Sequence, residues 1–116
     1  MNDIFSIEKH GDVTIVNFLF SELSIEDAED LKNALYAYIS PGSTKFVVDL
    51  DKCSFFPSIA LGVLASFGAK ARSMNGRVVL ARPIKEVASI LDITKFGNIY
   101  DIYTTREEAI SSFGKI

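Results

Sequence analysis

Apolar positions along this chain repeat with two different periods. Ile4 to Lys9 alternates, with Phe5 and Ile7 on one face, and reads as a short strand. His10-Gly11-Asp12 is a turn signal, and Val13 to Phe20 is a β-branched and aromatic run that predicts a second strand, antiparallel to the first. The period then changes. Ala28, Leu31, Leu35 and Tyr38 recur at helical spacing after Ser24-Ile25-Glu26-Asp27, which resembles a capping box, and Pro41-Gly42 closes the helix after Ile39.

From there strand and helix alternate. Lys45 to Leu50 predicts a strand, Ile59 to Met74 a helix ended by Asn75-Gly76, and Arg77 to Ala81 another strand. Pro83 opens a helix with Ile84, Val87 and Leu91 on one stripe, broken by Gly97-Asn98. Ile99 to Tyr103 reads as the last strand. Thr104 and Thr105 offer overlapping capping boxes with Glu107 and Glu108 for a terminal helix to about Phe113. Short Val/Ile-rich strands separated by helices imply parallel pairing through right-handed crossovers, with sequential strands as neighbours. The predicted fold class is α/β: a mixed, mostly parallel five-stranded sheet with an antiparallel N-terminal edge strand and four helices. The length of 116 residues suits one domain over 1–116.

Composition narrows the function classes. A net charge of −3 and basic residues that never cluster make a phosphate-backbone binder a poor reading, so no nucleic-acid partner is expected. Val13 to Phe20 is too short to span a bilayer, no basic segment with a cleavage site precedes it, and no membrane insertion is expected. Cys53, the sole cysteine, has no partner for an internal disulfide. These features read as a soluble cytoplasmic protein.

Catalytic and metal constellations are not evident. The single histidine, His10, lies in the first turn and reads as exposed; Cys53 follows the third strand and reads as a half-buried bystander thiol. Neither metal-ligand spacing nor a glycine-rich phosphate loop occurs, so no metal, cofactor or catalytic residue is assigned. Asp49 and Asp51 flank Leu50 at a strand's carboxyl end, where they could hold a cation or simply shape the turn. Glu26, Asp27, Glu29 and Asp30 crowd one helix start, as a solvated face or an acidic docking surface.

The segment from Phe55 to Leu64 carries the sharpest signal. Pro57 stops the strand-like run and biases Phe56 toward an extended backbone. Ser58 then stands at a helix start, where it is either a plain cap or a place for a phosphate. The helix behind it is apolar on nearly every side of its first two turns, read either as tight cover or as a patch that a partner covers.

Phe46-Val47-Val48-Asp49-Leu50 followed by Cys53 to Leu64 resembles the signature of the STAS family, which includes the bacterial anti-sigma-factor antagonists. The likeness runs on through Asn75 to Leu80, Leu91 to Thr94, Ile99 to Tyr103 and Glu107 to Ile110, and Ser21-Glu22-Leu23-Ser24 resembles the family's segment before the first helix. In that family a Val-Val-Asp-Leu strand leads to Asp-Ser-Ser/Thr-Gly-Leu-Gly, whose first serine is phosphorylated in the antagonists; its place falls on Ser58. This chain differs at three motif positions, with Pro57 for Asp, Ile59 for Ser/Thr and Ala60 for Gly.

The resemblance implies a regulatory protein-binding module and no enzyme. It would bind an anti-sigma factor that is also a serine protein kinase, and phosphorylation at Ser58 would switch that binding off. A phosphoserine phosphatase stands as a further partner. Ser24, Phe56, Pro57, Ser58, Ile59 and Leu61 are the expected partner-binding residues. The alternative is a STAS scaffold subunit of a transporter or signalling assembly, without a phosphoswitch.

Overall fold

The computed structural model describes residues 4–114. Its five strands are β1 (Phe5–His10), β2 (Val13–Phe18), β3 (Lys45–Asp49), β4 (Arg77–Ala81) and β5 (Ile102–Tyr103). They lie side by side in chain order, β1-β2-β3-β4-β5. β1 pairs antiparallel with β2, and every other pairing is parallel. The predicted mixed sheet with one antiparallel edge strand is therefore the observed one. The α-helices are α1 (Ile25–Tyr38), α2 (Ser58–Ser73), α3 (Lys85–Ile93) and α4 (Arg106–Ser111), with a 3₁₀ turn at Phe96–Asn98.

Strand alternation builds two unequal layers. Val16, Phe18, Phe46, Val48, Val78 and Leu80 point to one face and pack under Leu31 and Leu35 of α1, Leu64 and Phe67 of α2, and Val87 and Leu91 of α3. Val13, Ile15, Val47, Val79 and Ala81 point to the other face, where Ala109 covers them with support from Ile110 and Phe113. β2 is buried at all six positions, as expected of a strand covered on both faces.

Several boundaries differ from the sequence-based expectation, each for a local reason. β2 stops at Phe18 because Phe20 turns into the core beside Phe18, with ring centroids 5.1 Å apart. α3 begins at Lys85, because Arg82 takes a left-handed φ of 54° and Ile84 remains extended at the cap. That helix ends at Ile93, and Lys95 supplies the left-handed residue that glycine usually provides there. β5 keeps only two of its five predicted residues. Tyr100 is drawn inward: its hydroxyl donates to the Leu64 carbonyl, and the 3₁₀ turn holds its backbone N–H on the Phe96 carbonyl at 2.8 Å.

Candidate functional site

The parallel strands β2, β3 and β4 end on one side of the sheet, and the loops leaving them carry the sequence-predicted site. After β3 the chain makes a tight turn. The Asp51 N–H donates to Asp49 Oδ1 at 3.0 Å, the Leu50 N–H donates to the Ala81 carbonyl at 2.8 Å, and the Cys53 N–H donates back to the Leu50 carbonyl at 3.1 Å. Cys53 is fully buried, not half-buried as expected; its thiol donates to the Phe55 carbonyl, and burial pushes its pKa up to about 11. A thiol in that state is a poor nucleophile at neutral pH. His10 is exposed in the β1–β2 hairpin, as the sequence implied.

Phe55 and Phe56 part company. Phe56 is only 1% exposed and stacks against Phe18 and Phe20, each at 6.2 Å between centroids. The expectation that Phe56 touches a partner is thus corrected: the ring is a core anchor that pins the loop. Its neighbour Phe55 is 51% exposed. Nothing in the order Phe-Phe said which ring would turn inward.

Pro57 is the N-cap of α2, with φ −65° and ψ 156°, and no side chain caps the helix. Ser58 is therefore the first helical residue, and it is exposed. The plain-cap reading of this serine fails, because a cap occupies the preceding position and bonds back to the helix amides. Ser24 does serve as a cap: its Oγ accepts the Asp27 N–H at 2.9 Å at the start of α1.

The charge at the start of α2 is unusual for this molecule. α1 carries Glu26 and Asp27 in its first turn, α3 carries Glu86 and α4 carries Glu107 and Glu108; α2 carries no acidic residue there and has Lys70 and Arg72 in its last turn. Its positive N-terminal end is left without a carboxylate to offset the helix dipole.

Ile59 and Leu61 are half-buried and pack on the core. Ile59 shares a groove between α1 and α2 with Ile25 and Ala28. Ser24 lines a neighbouring depression with Leu19, Glu22 and Asp27. The structure so brings Ser58, Pro57, Ile59 and Leu61 together on one helix start, with Ser24 at the same end of the sheet. Three exposed apolar residues at this end of the sheet went unassigned in the sequence: Leu19, Phe55 and Ile25, the last 79% exposed. Ile25 lies three residues before Ala28 on the apolar stripe, so its spacing carried the signal; its place in the first turn of α1 puts it beyond the core.

Behind the site, the expected alternative of a cation between Asp49 and Asp51 is overturned. Asp49 is 1% exposed and its oxygens are taken: Arg82 Nε donates at 3.1 and 3.2 Å, Arg82 Nη2 at 2.9 Å and Arg106 Nε at 2.8 Å. Arg106 also donates to Asn17 Oδ1 at 2.8 Å and to both Glu8 oxygens at 3.1 Å, and Asn17 Nδ2 donates to Glu8 at 2.8 Å. Among the described residues no cluster of three or more carboxylate, histidine or cysteine side chains could hold a metal ion. The network ties β1, β2 and β3 to the start of α4 and to the turn after β4.

Burial pushes the Asp49 carboxyl up, but hydrogen bonds from Arg82, the Asp51 amide and Arg106 outweigh it and hold the group below its usual value of 3.8. Hydrogen bonds from Asn17 and then Arg106 likewise hold Glu8 below 4.5. A carboxyl depressed in the fold adds stability above its unfolded value and loses that stability as pH falls through the folded one. The melting temperature should therefore be flat down to about pH 5 and fall steeply below about pH 4. Scanning calorimetry across that range, with Asp49→Asn as comparison, checks this: the variant should start lower and lose less on acidification. Parallel curves would remove Asp49 from the acid response.

Known proteins similar to this chain can be set beside that geometry. The candidate anti-sigma factor antagonist BtrV of Bordetella bronchiseptica is 28% identical over 87 residues, which cover 75% of each protein. The crystal structure of a candidate anti-sigma factor antagonist from Thermotoga maritima superposes with a TM-score of 0.86 at 27% identity, over 96% of this chain and 95% of that one. The unphosphorylated anti-sigma factor antagonist SpoIIAA of Bacillus shares the fold, with a TM-score of 0.79 at 22% identity over 97% of this chain and 98% of that one; its phosphorylated form superposes at 0.71. No helix among the described residues is long and apolar enough to cross a membrane. Residues 5–109 match the STAS domain as a family, and with the five-stranded sheet and the helix start at Ser58 in place, the chain belongs to the STAS domain family.

Proposed function

We propose that this chain is a phospho-switched binding module that antagonises an anti-sigma factor, with Ser58 as the phosphate acceptor. The observation that carries the reading is Ser58 itself: an exposed hydroxyl on the first residue of α2, at a helix end with no carboxylate in its first turn. A phosphate there adds about −1.5 to −2 charge. The helix end favours that charge by about 0.3–1 kcal/mol, so the fold accepts the modification. An apolar partner surface does not, because desolvating a dianion costs several kcal/mol. The partner is then a serine-kinase anti-sigma factor that holds the unmodified form and releases the phosphorylated one, and a phosphoserine phosphatase resets the switch. Similarity to BtrV and to the Thermotoga protein, and the existence of SpoIIAA in both phosphorylation states, support this assignment.

Titration calorimetry against the serine-kinase anti-sigma factor of the source organism tests it. Ser58→Ala should bind as the unmodified chain does. Ser58→Asp should bind at least about tenfold more weakly with a nearly unchanged melting temperature. Equal binding by Ser58→Asp would sink the switch.

A second reading has its own observation. Pro57 occupies the cap position with no side-chain bond, and Ile59 and Ala60 leave Ser58 as the motif's only hydroxyl. A kinase that needs those missing groups never modifies Ser58, and the domain then acts as a scaffold subunit. Stoichiometric phosphate at Ser58, read by mass spectrometry after incubation with the kinase and ATP, separates the two.

A further inference from the structure

The sheet has two outer edges, and they are built differently. β5 closes one with two residues, and β1 closes the other with six. Proteins keep sheet edges from pairing with one another by short strands, prolines, bulges, covering loops or outward lysines. β1 uses none of these. Its register against β2 runs unbroken from Phe5↔Phe18 to His10↔Val13, and it contains no proline. Among the described residues no strand or bridge lies on its outer side. Its charges are turned back over β2: Lys9 Nζ donates to Thr14 Oγ1 at 2.9 Å, and Glu8 accepts from Asn17 Nδ2 at 2.8 Å. Phe5 and Ile7 stay half-buried, whereas Phe18 and Val16 opposite them on β2 are fully buried. The apolar face of the sheet thus runs past the helices that cover it.

The hydrogen-bond parity of this edge is fixed. The Leu19 N–H donates to the Ile4 carbonyl at 2.9 Å, and opposite residues of an antiparallel pair exchange such bonds at every second position. Ile4, Ser6, Glu8 and His10 therefore direct their backbone groups to β2. Phe5, Ile7 and Lys9 direct theirs outward.

A second β1 laid antiparallel with Ile7 facing Ile7 matches that parity. Phe5 then meets Lys9, Ser6 meets Glu8, and every outward residue finds an outward partner with which it exchanges two backbone bonds. Sliding by two residues toward the hairpin sets Glu8 against Glu8, and like charges directly opposite are destabilising. A slide either way also leaves one of the three outward residues opposite no residue of the strand.

We infer that this edge binds a second copy of the chain, making one sheet continuous through both, with Ile7 on the two-fold axis. Self-recognition fits because the strand's one lysine and one glutamate cancel, so it faces itself without net charge. The axis is perpendicular to the sheet and keeps both helical layers on one side. It reverses the strands, so the two Ser58 ends point in opposite directions and both stay open. The dimer offers the partner site twice, whether or not Ser58 is phosphorylated.

Sedimentation equilibrium of the full chain tests this. One strand against another is a small contact, so a weak dimer is expected, with a dissociation constant of about 0.1 mM. Ile7→Lys and Ile7→Glu each set like charges on the axis and should each weaken self-association about tenfold or more. An equimolar mixture of the two should regain that loss, because only position 7 facing itself brings the lysine against the glutamate. Amide exchange of the wild type at low and high concentration gives a second readout. The Phe5, Ile7 and Lys9 amides should become protected on concentration, while Ser6 and Glu8 are protected throughout. Where a variant fails to fold, this alternating pattern decides alone. The inference falls if the chain is monomeric at about 1 mM, a result that leaves the edge to a strand of another protein or to none. It falls equally if the single variants dimerise undiminished, if the mixture is no tighter than they are, or if concentration protects amides on another face.

Discussion

Asp49→Ala should lower the stability of this domain by about 3 kcal/mol, the lower end of the cost of stranding one side of a buried ion pair. The carboxylate is 1% exposed and accepts from two guanidinium groups and a backbone amide. Without it, Arg106 keeps only Glu8 as a carboxylate partner, at 3.1 Å, and Arg82 only Asp51, at 3.8 Å, and both lose their one buried counter-charge. Both arginines keep some solvent, at 36% and 23% side-chain exposure, which is why the larger values are not expected. Arg82 adds a further cost. It holds a left-handed backbone immediately before Pro83, a conformation that persists only when its surroundings enforce it. Against a typical total of about 5–15 kcal/mol, the loss should lower the melting temperature by about 10 °C. Urea denaturation should show the midpoint falling with an unchanged slope. A shift under about 0.5 kcal/mol would mean that the network is a solvated surface cluster of the kind that contributes little.

That network also marks where sequence reasoning stops. Alternation across Phe46-Val47-Val48 placed β3 in the middle of a parallel sheet, because a strand buried on both faces has to be apolar at consecutive positions. The same alternation puts Asp49 on the face of Val47, and a lone aspartate there invites a cation or a turn. Its true partners lie 33 and 57 residues away, and only the folded topology brings them to one point. Ser58 was legible for the opposite reason. Its environment is local: Pro57 ends the extended segment, the apolar run begins at once, and a helix start follows from those two facts alone. Phe55 and Phe56 fall between these cases, since period-two alternation fixes that one ring turns in and leaves open which. β5 was overextended because Ile99 to Tyr103 has strand composition throughout, and the competing claim on Tyr100 comes from α2, at a position marked only by a glycine.

Gly68→Ala is the sharpest test of that claim. An added Cβ would stand 1.9 Å from the Tyr100 hydroxyl and 2.7 and 2.9 Å from its ring carbons, so the ring has to leave its place. Tyr100 is 3% exposed and donates its hydroxyl to the Leu64 carbonyl. Displacing it forfeits that bond, worth about 1 kcal/mol, and adds an overpacking cost of about 1–3 kcal/mol. Alanine returns about 1 kcal/mol through helix propensity, leaving a net loss of about 2 kcal/mol. The ring is also what holds the chain between α3 and β5 against α2, since it stacks on Phe96 at 6.0 Å between centroids. Hydrogen exchange should therefore speed up first at the Leu80 and Arg82 amides, which donate to the Asp101 and Tyr103 carbonyls, and only later in β3. Tyr100→Leu removes the colliding ring and pays its own cavity cost. Gly68→Ala added to that background should be neutral or stabilising, and the cycle should return a coupling of about 2 kcal/mol. If Gly68→Ala raises the melting temperature in the wild-type background, Tyr100 has a second place to go, and the shortness of β5 needs another cause.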